Sequence, residues 1–212
     1  GPQKIAEIFA YLDEPQIYFS ELSVKDASKV VSLMDSDDAV DVLETLDDKK
    51  KYEIVENLDK AAIKDVKMLL SYDDDEIGSC MTTNYICIPK GLSVRQAMSE
   101  LVRQAGTNDN ISTIYVLDES LKFAGAIDLK DLIIARKHDV LDDIIVHSYP
   151  SVTDHEKIDD CMEKIMDYSE DSIPVLSQDG HMLGVITSED IVEMVDNEMG
   201  EDYAKLAGLT AE

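Results

Sequence analysis

Two stretches of this chain align without a gap at a spacing of 59 residues: IYVLDESLKFAGAIDLKDLI, from Ile114 to Ile133, and IPVLSQDGHMLGVITSEDIV, from Ile173 to Val192. The match holds position by position in character, pairing Gly125 with Gly184 and Asp131 with Asp190. Each copy runs from a short apolar segment through a polar turn to a second apolar segment carrying the glycine, and then into an amphipathic stretch. That order predicts a β-hairpin followed by a helix. Upstream, VRQAMSEL (Val94 to Leu101) corresponds to IDDCMEKI (Ile158 to Ile165), so each copy also opens on a helix. Small hairpin units of this kind must bury an apolar face against another layer. Tandem copies therefore predict packing about a pseudo-twofold axis, with a cleft shared between them. In this reading Gly125 and Gly184 permit tight strand packing, and Pro174 marks an edge position.

A different period governs the residues before the repeats. From Ser23 the chain falls into four consecutive twelve-residue units, SVKDASKVVSLM, DSDDAVDVLETL, DDKKKYEIVENL and DKAAIKDVKMLL. Ser23, Asp35, Asp47 and Asp59 open them as expected N-caps, since each side-chain oxygen can take a free N–H of the first helical turn. Apolar residues then recur three and four apart, as in Val30, Val31 and Met34. Short amphipathic helices cannot bury their faces alone, so neighbour is expected to pack on neighbour as a small superhelix. SYDDDEIGS, Ser71 to Ser79, interrupts the rhythm and reads as a linker. The expected fold class is α+β and multidomain. An all-α superhelical N domain (1–76) precedes two repeats, each a small β-sheet with packed helices (77–137 and 138–200), and a connecting segment (201–212).

Charge narrows the function. With 46 acids against 19 bases the formal charge is −27, which argues against nucleic acid as a partner because phosphate backbones require clustered Lys and Arg. Carboxylate-rich surfaces favour hard cations such as Mg²⁺ and Ca²⁺, although solubility alone also explains such an excess. Cys80, Cys87 and Cys161 show no disulfide framework or zinc spacing, in keeping with a reducing cytosol. No apolar run is long enough to span a bilayer. Gly1-Pro2 reads as a protease-cleavage scar, so the natural chain is expected to extend beyond both ends. No nucleophile elbow, P-loop, dinucleotide fingerprint or HExxH appears, and an enzyme is not expected.

The acids are not evenly spread. Asp37 and Asp41 lie at i and i+4, on one face of a predicted helix. From Ser188 to Gly208, SEDIVEMVDNEMGEDYAKLAG holds seven carboxylates before its only base, Lys205. Between Lys164 and Lys205 there is no Lys or Arg, although a helix face serving solubility alone gains from mixed signs. The blander readings are a solvated acidic face and, for Asp37, Asp38, Asp131 and Asp190, favourable placement at a helix N-terminus.

The tandem repeat, with its signature IPVLSQDGHMLGVITSEDIV, resembles a pair of CBS domains. Together with the capped helical units, the MTTNY entry at Met81 to Tyr85 and the closing EDYAKLAGL, it is similar to the cytosolic part of the MgtE magnesium channel/transporter family, with a helical region shorter than usual. The resemblance implies a Mg²⁺ sensor on the cytoplasmic face of the cell membrane. In it, ions bridge the N domain, the CBS pair and a connecting helix to favour the closed state of a membrane domain that this chain lacks. Matched residue by residue, the implied ligands are Asp37 and Asp41 in the N domain. Asp190 and Glu193 would face them, Glu198, Glu201 and Asp202 would lie toward the connecting helix, and Asp159 is a further carry-over. The resemblance also implies a homodimer through the CBS domains. CBS pairs often hold adenine nucleotides, and Thr187 and Asp190 in TSED supply the hydroxyl and acid found where a ribose sits. The alternative function is therefore an ATP- or AMP-sensing CBS pair regulating another protein, and a third is a helical-repeat adaptor for a protein partner.

Overall fold

A computed structural model describes residues 4, 6, 8, 9, 12, 14–166, 170–192 and 194. In the N-terminal part residues 4, 6, 8 and 9 are helical, and the helices delimited among the described residues are α1 (Pro15–Glu21), α2 (Val24–Val31), α3 (Ser36–Glu44), α4 (Asp48–Val55) and α5 (Ala62–Leu69). The expected caps form at two of the four unit starts. Ser23 Oγ accepts from the Asp26 N–H at 3.2 Å, and Asp47 Oδ1 from the Lys50 N–H at 3.0 Å. Asp59 Oδ1 accepts from both Ala61 and Ala62, at 3.0 and 2.9 Å, in a local turn that delays α5 to Ala62. Asp35 stands at the N-cap of α3 but makes no cap bond. The main packing differs from neighbour on neighbour: α2 packs on α4 and α3 on α5, because the short loops turn each helix away from the next. The Lys50 ammonium donates to the carbonyls of Phe19, Ser20 and Leu22, satisfying the C-terminal end of α1 from across the bundle.

Each repeat carries the predicted hairpin and flanking helices, plus an entry strand that the sequence pattern did not reveal. The first contains β1 (Ile86–Pro89), α6 (Val94–Gln104), β2 (Thr113–Leu117), β3 (Phe123–Asp128) and α7 (Leu129–Ile134). The second contains β4 (Val152–Thr153), α8 (Ile158–Met166), β5 (Ser172–Leu176) and β6 (Met182–Thr187), with residues 188–192 helical. Both sheets have the entry strand parallel to the middle strand and the hairpin antiparallel. Pro174 therefore lies on a middle strand, not at an edge as expected. It is tolerated because β4 pairs only with Val175 and Leu176, leaving no ladder partner at Pro174 on that side.

The repeats exchange their leading segments. Thr82, ahead of the first repeat, pairs with Val185 of the second sheet through two N–H···O bonds of 2.9 Å. Val146, ahead of the second, pairs with Ala126 of the first sheet at 2.8 and 3.2 Å. Here the two aligned glycines are required. A Cβ on Gly184 would lie 2.7 Å from the Thr82 carbonyl, and one on Gly125 would lie 2.7 Å from the Val146 carbonyl. Tyr115 is buried between the sheets, its hydroxyl 2.6 Å from Ser172 Oγ.

One apolar cluster runs from Phe19 and Leu43 of the helices through Ile77 and Met81 to Ile173 and Ile186 of the second sheet. The first sheet and α6 have a core of their own, around Ile88, Leu101 and Ile127. Residues 71–79 form a seam rather than a free linker. The N–H groups of Ile77 and Gly78 donate to the carbonyls of Glu156 and Asp154, at 2.9 and 2.8 Å, and the Lys157 ammonium meets Asp75 at 2.6 Å.

Candidate metal centre

The start of α3 is aimed at the cleft between the two repeats, because Val40, Val42 and Leu43 are buried in the shared core and fix the helix's rotation. The result is a cavity of about 460 Å³ walled by all three parts of the molecule. Asp35, Asp37 and Asp38 come from the N domain, Asp109 from the first repeat, and Asp171, Glu189 and Asp190 from the second. No basic side chain lines it among the described residues. A second cavity of about 440 Å³ adjoins it at Asp37, Asp38 and Asp190, and adds Asp41, Glu44, Asp74 and one base, Lys51.

Asp37 is the most constrained of these acids. Its Oδ1 is fully enclosed with no hydrogen-bond partner. Burial pushes its carboxyl up to about 8, and the charges of Asp190, Asp38 and Asp35 add to the rise. Asp35 is raised as well, first by burial and then by Asp109, against a lowering by Asn84. Two acidic surfaces thus meet at a point where one carboxyl holds a proton near neutrality unless a cation takes its place.

The TSED segment closes on itself. The Thr187 N–H donates to Asp190 Oδ2 at 2.6 Å, and the Asp190 N–H reaches Thr187 Oγ1 at 3.4 Å, the reciprocal pattern of a capping box. In the first repeat the corresponding cap is Asp128, whose Oδ1 accepts from the Lys130 N–H at 2.6 Å; Asp131, expected as a capping residue, sits within the first turn of α7. Asp190 therefore offers one oxygen to its own helix start while its side chain lines both cavities.

Of the residues singled out from the sequence, the structure brings Asp37, Asp41 and Asp190 to adjoining cavities, with Thr187 on the wall of the first. Asp159 lies exposed in the first turn of α8 and lines neither cavity. Glu193, Glu198, Glu201 and Asp202 lie outside the described residues. Asp109 and Asp171 were missed. A signal for Asp171 exists: carrying the 59-residue alignment two positions upstream pairs Ser112 with Asp171 and Thr113 with Ser172, and all four line the first cavity.

The donor set is all oxygen and all hard, which suits Mg²⁺ or Ca²⁺ rather than a soft metal. Among the described residues no three ligating side chains converge into a ready-made ion cage. The fit is to a hydrated ion, as Mg²⁺ usually keeps several waters and binds through one or two carboxylates. A polyphosphate in the same cavity would meet carboxylates on every side unless cations came with it.

Comparison with known proteins gives a consistent picture. The model of the MgtE intracellular N domain matches residues 1–75, and the CBS-domain model matches residues 76–138 and 141–197. The magnesium transporter MgtE of Enterococcus faecalis is 35% identical over 148 residues, covering 70% of this chain and 33% of that protein. MgtE of Thermus thermophilus is 29% identical over 182 residues, covering 84% of this chain and 40% of that protein. The chain thus spans a third to two-fifths of the length of the curated relatives it matches. A crystal structure of the soluble part of a magnesium transporter superposes with a TM-score of 0.87 at 31% identity, covering 93% of this chain and 78% of that one. The cytosolic domain of the Mg²⁺ channel MgtE in complex with ATP gives 0.83 at 25% identity, covering 91% and 80%. Among the described residues no helix is long and apolar enough to cross a membrane.

Proposed function

We propose, for a chain that belongs to the MgtE magnesium-transporter family through its N domain and its CBS pair, that it is the family's Mg²⁺-sensing regulatory region. Hydrated Mg²⁺ in the acidic cleft bridges Asp37 and Asp41 of the N domain to Asp190 of the second CBS repeat. When the ion leaves, unscreened carboxylates oppose the contact. Glu193 belongs to the same group, while Glu198, Glu201 and Asp202 bridge onward to a connecting helix, with Asp159 peripheral. The closed arrangement is communicated to a membrane domain, and the working unit is a homodimer through the CBS domains at the cytoplasmic face of the membrane. Its action is that of a regulator with no catalytic step.

The observation that carries this reading is the enclosed, unpartnered Oδ1 of Asp37 on a cavity wall shared with Asp190. An enclosed carboxylate oxygen without a donor is costly, and a divalent cation repays that cost better than a proton can. Small-angle scattering with and without millimolar Mg²⁺, at matched ionic strength, tests it. Compaction of the wild type, lost in the Asp37→Asn, Asp41→Asn double variant, is the expected outcome; an unchanged radius of gyration in the wild type overturns the proposal.

A second reading has its own support in Thr187 and Asp190, which share the cavity and could hold a ribose. On this reading the CBS pair binds ATP or another adenine nucleotide, with cations accompanying any phosphates. Titration calorimetry with ATP and AMP, in Mg²⁺ and in EDTA, tests it; absence of heat with both nucleotides in both buffers rejects it.

A further inference from the structure

The repeated helical units contain an internal control. Four chain positions open the units, and three of them, Ser23, Asp47 and Asp59, turn their side chains onto the backbone N–H groups just ahead. Asp35 alone does not. Forgoing an N-cap costs about 1 kcal/mol, so an aspartate that stands at the cap position and bonds elsewhere indicates a competing interaction of at least that size. Its carboxylate accepts from Asn84 Nδ2 with both oxygens, at 2.9 and 3.1 Å.

Asn84 is itself held from three other directions. Its Oδ1 accepts the Asp109 N–H at 2.9 Å, its carbonyl accepts from Asn110 Nδ2 at 2.9 Å, and its N–H reaches Thr82 Oγ1 at 3.3 Å. The amide is therefore presented to the N domain in one orientation. Beside it, the Thr83 N–H donates to Ser36 Oγ at 2.9 Å, and Thr83 Oγ1 donates to Asp65 Oδ2 at 3.2 Å. Ser36 is buried and Thr82 is almost wholly so, which shields this part of the contact from water.

We infer that Thr83 and Asn84 form a docking surface on the first CBS repeat for the N domain, a cation-independent latch that receives Asp35, Ser36 and Asp65. Amide and hydroxyl donors meet carboxylate and hydroxyl acceptors across it, with Asp109 of the same repeat as the one charge that opposes Asp35. It stands beside the acidic cavity, since Asp35 and Asp109 line that cavity too. The N domain is thereby held on the first repeat by hydrogen bonds, independently of the carboxylates that oppose it on the second. Loss of cations loosens the second contact and leaves the first as a pivot. The second half of this statement rests on the Mg²⁺ reading given above; the latch itself does not.

Hydrogen exchange of the full chain in EDTA and in Mg²⁺ tests it, with peptides covering residues 35–40 and 82–85 as readout. The diagnostic variant is Asp35→Ser. Serine restores a local cap like that of Ser23 but is too short to reach Asn84, so helix α3 is retained while the latch is lost. Asn84→Ala is the partner variant, and Asp47→Ser controls for a cap change away from the interface. In EDTA the wild type is expected to protect both peptides at least about tenfold more than Asp35→Ser and Asn84→Ala, the scale of a hydrogen bond to a charged acceptor, while Asp47→Ser matches the wild type in both. Equal exchange of wild type and Asp35→Ser in EDTA overturns the latch. If the variants differ in EDTA but Mg²⁺ changes protection in none of them, the latch stands and the Mg²⁺ reading fails.

Discussion

The two CBS repeats share a topology and almost nothing of their surroundings. The second merges its apolar core with the N domain, receives the seam of residues 71–79, and opens toward α3 through the cavity that Thr187 and Asp190 line. The first keeps a separate core and touches the N domain through polar side chains at Thr83 and Asn84. Its counterpart cleft, by Asp128 and Tyr149, is only about 140 Å³. The helical domain packs its core against the second repeat and leaves the first as a neighbour with a core of its own. A cation-responsive contact belongs where the opposing surfaces are both acidic and forced together, and there the second repeat brings Asp171, Glu189 and Asp190 against the single Asp109 of the first.

The comparison can be broken first at its two glycines. Gly125 has φ +144°, a conformation strained for any side chain, and a Cβ there meets backbone and Ile145 at 2.7 Å. Gly184 has the same crowding against Thr82 without that strain. Gly125→Ala is expected to cost about 3 kcal/mol and Gly184→Ala about 2 kcal/mol by urea denaturation. Equal costs would show that crowding alone, and not backbone conformation, sets these positions.

Asp37 sharpens the contrast on the side of the second repeat. Its folded carboxyl is raised from the ordinary 3.8 to about 8, so the proton stabilises the folded protein. That contribution is complete below about pH 4 and is lost as pH rises toward 8. In EDTA, stability should fall by roughly 2 kcal/mol across that window, the full shift being reduced by solvent at a half-buried side chain. Melting curves from pH 4 to 9 read the effect, and Asp37→Asn should flatten it.

Tyr115→Phe addresses what the repeats share. Removing the hydroxyl leaves Ser172 without its cross-sheet bond, at a cost of about 1 kcal/mol by the same denaturation assay. The smallest effect lies at the seam. Glu76 raises the exposed His155 imidazole through a 3.0 Å hydrogen bond, so this pairing stabilises below the ordinary imidazole range and fades as pH rises through the raised value. An NMR titration of His155 should move toward the ordinary value in Glu76→Gln.

Much of this was legible in the chain. The hairpins showed because strand period, turn residues and a glycine coincide in two aligned copies, and the helical units showed because cap and period agree. The entry strands did not: β4 is two residues long, and β1 alternates in burial through Ile86, Cys87 and Ile88, which are all apolar and so show no period in the sequence. Asp35 was read as a cap because local rules favour it; the competing amide lies 49 residues away in sequence. Residues 71–79 read as a linker for the same reason, since Lys157 and His155 come from the far repeat. The i,i+4 placement of Asp37 and Asp41 was visible, whereas the enclosure of Asp37 depends on which way α3 is rotated by its buried valines.

The exchange of leading segments also has a consequence for synthesis. Thr82 emerges from the ribosome well before its partner, Val185, so the second sheet cannot be completed at its edge until β6 has been released. Val146 finds Ala126 soon after both are released. The first sheet can mature before the second is made, and the second holds the helical domain and the acidic cleft in waiting until β6 arrives, a long-range closure of the kind that slows folding.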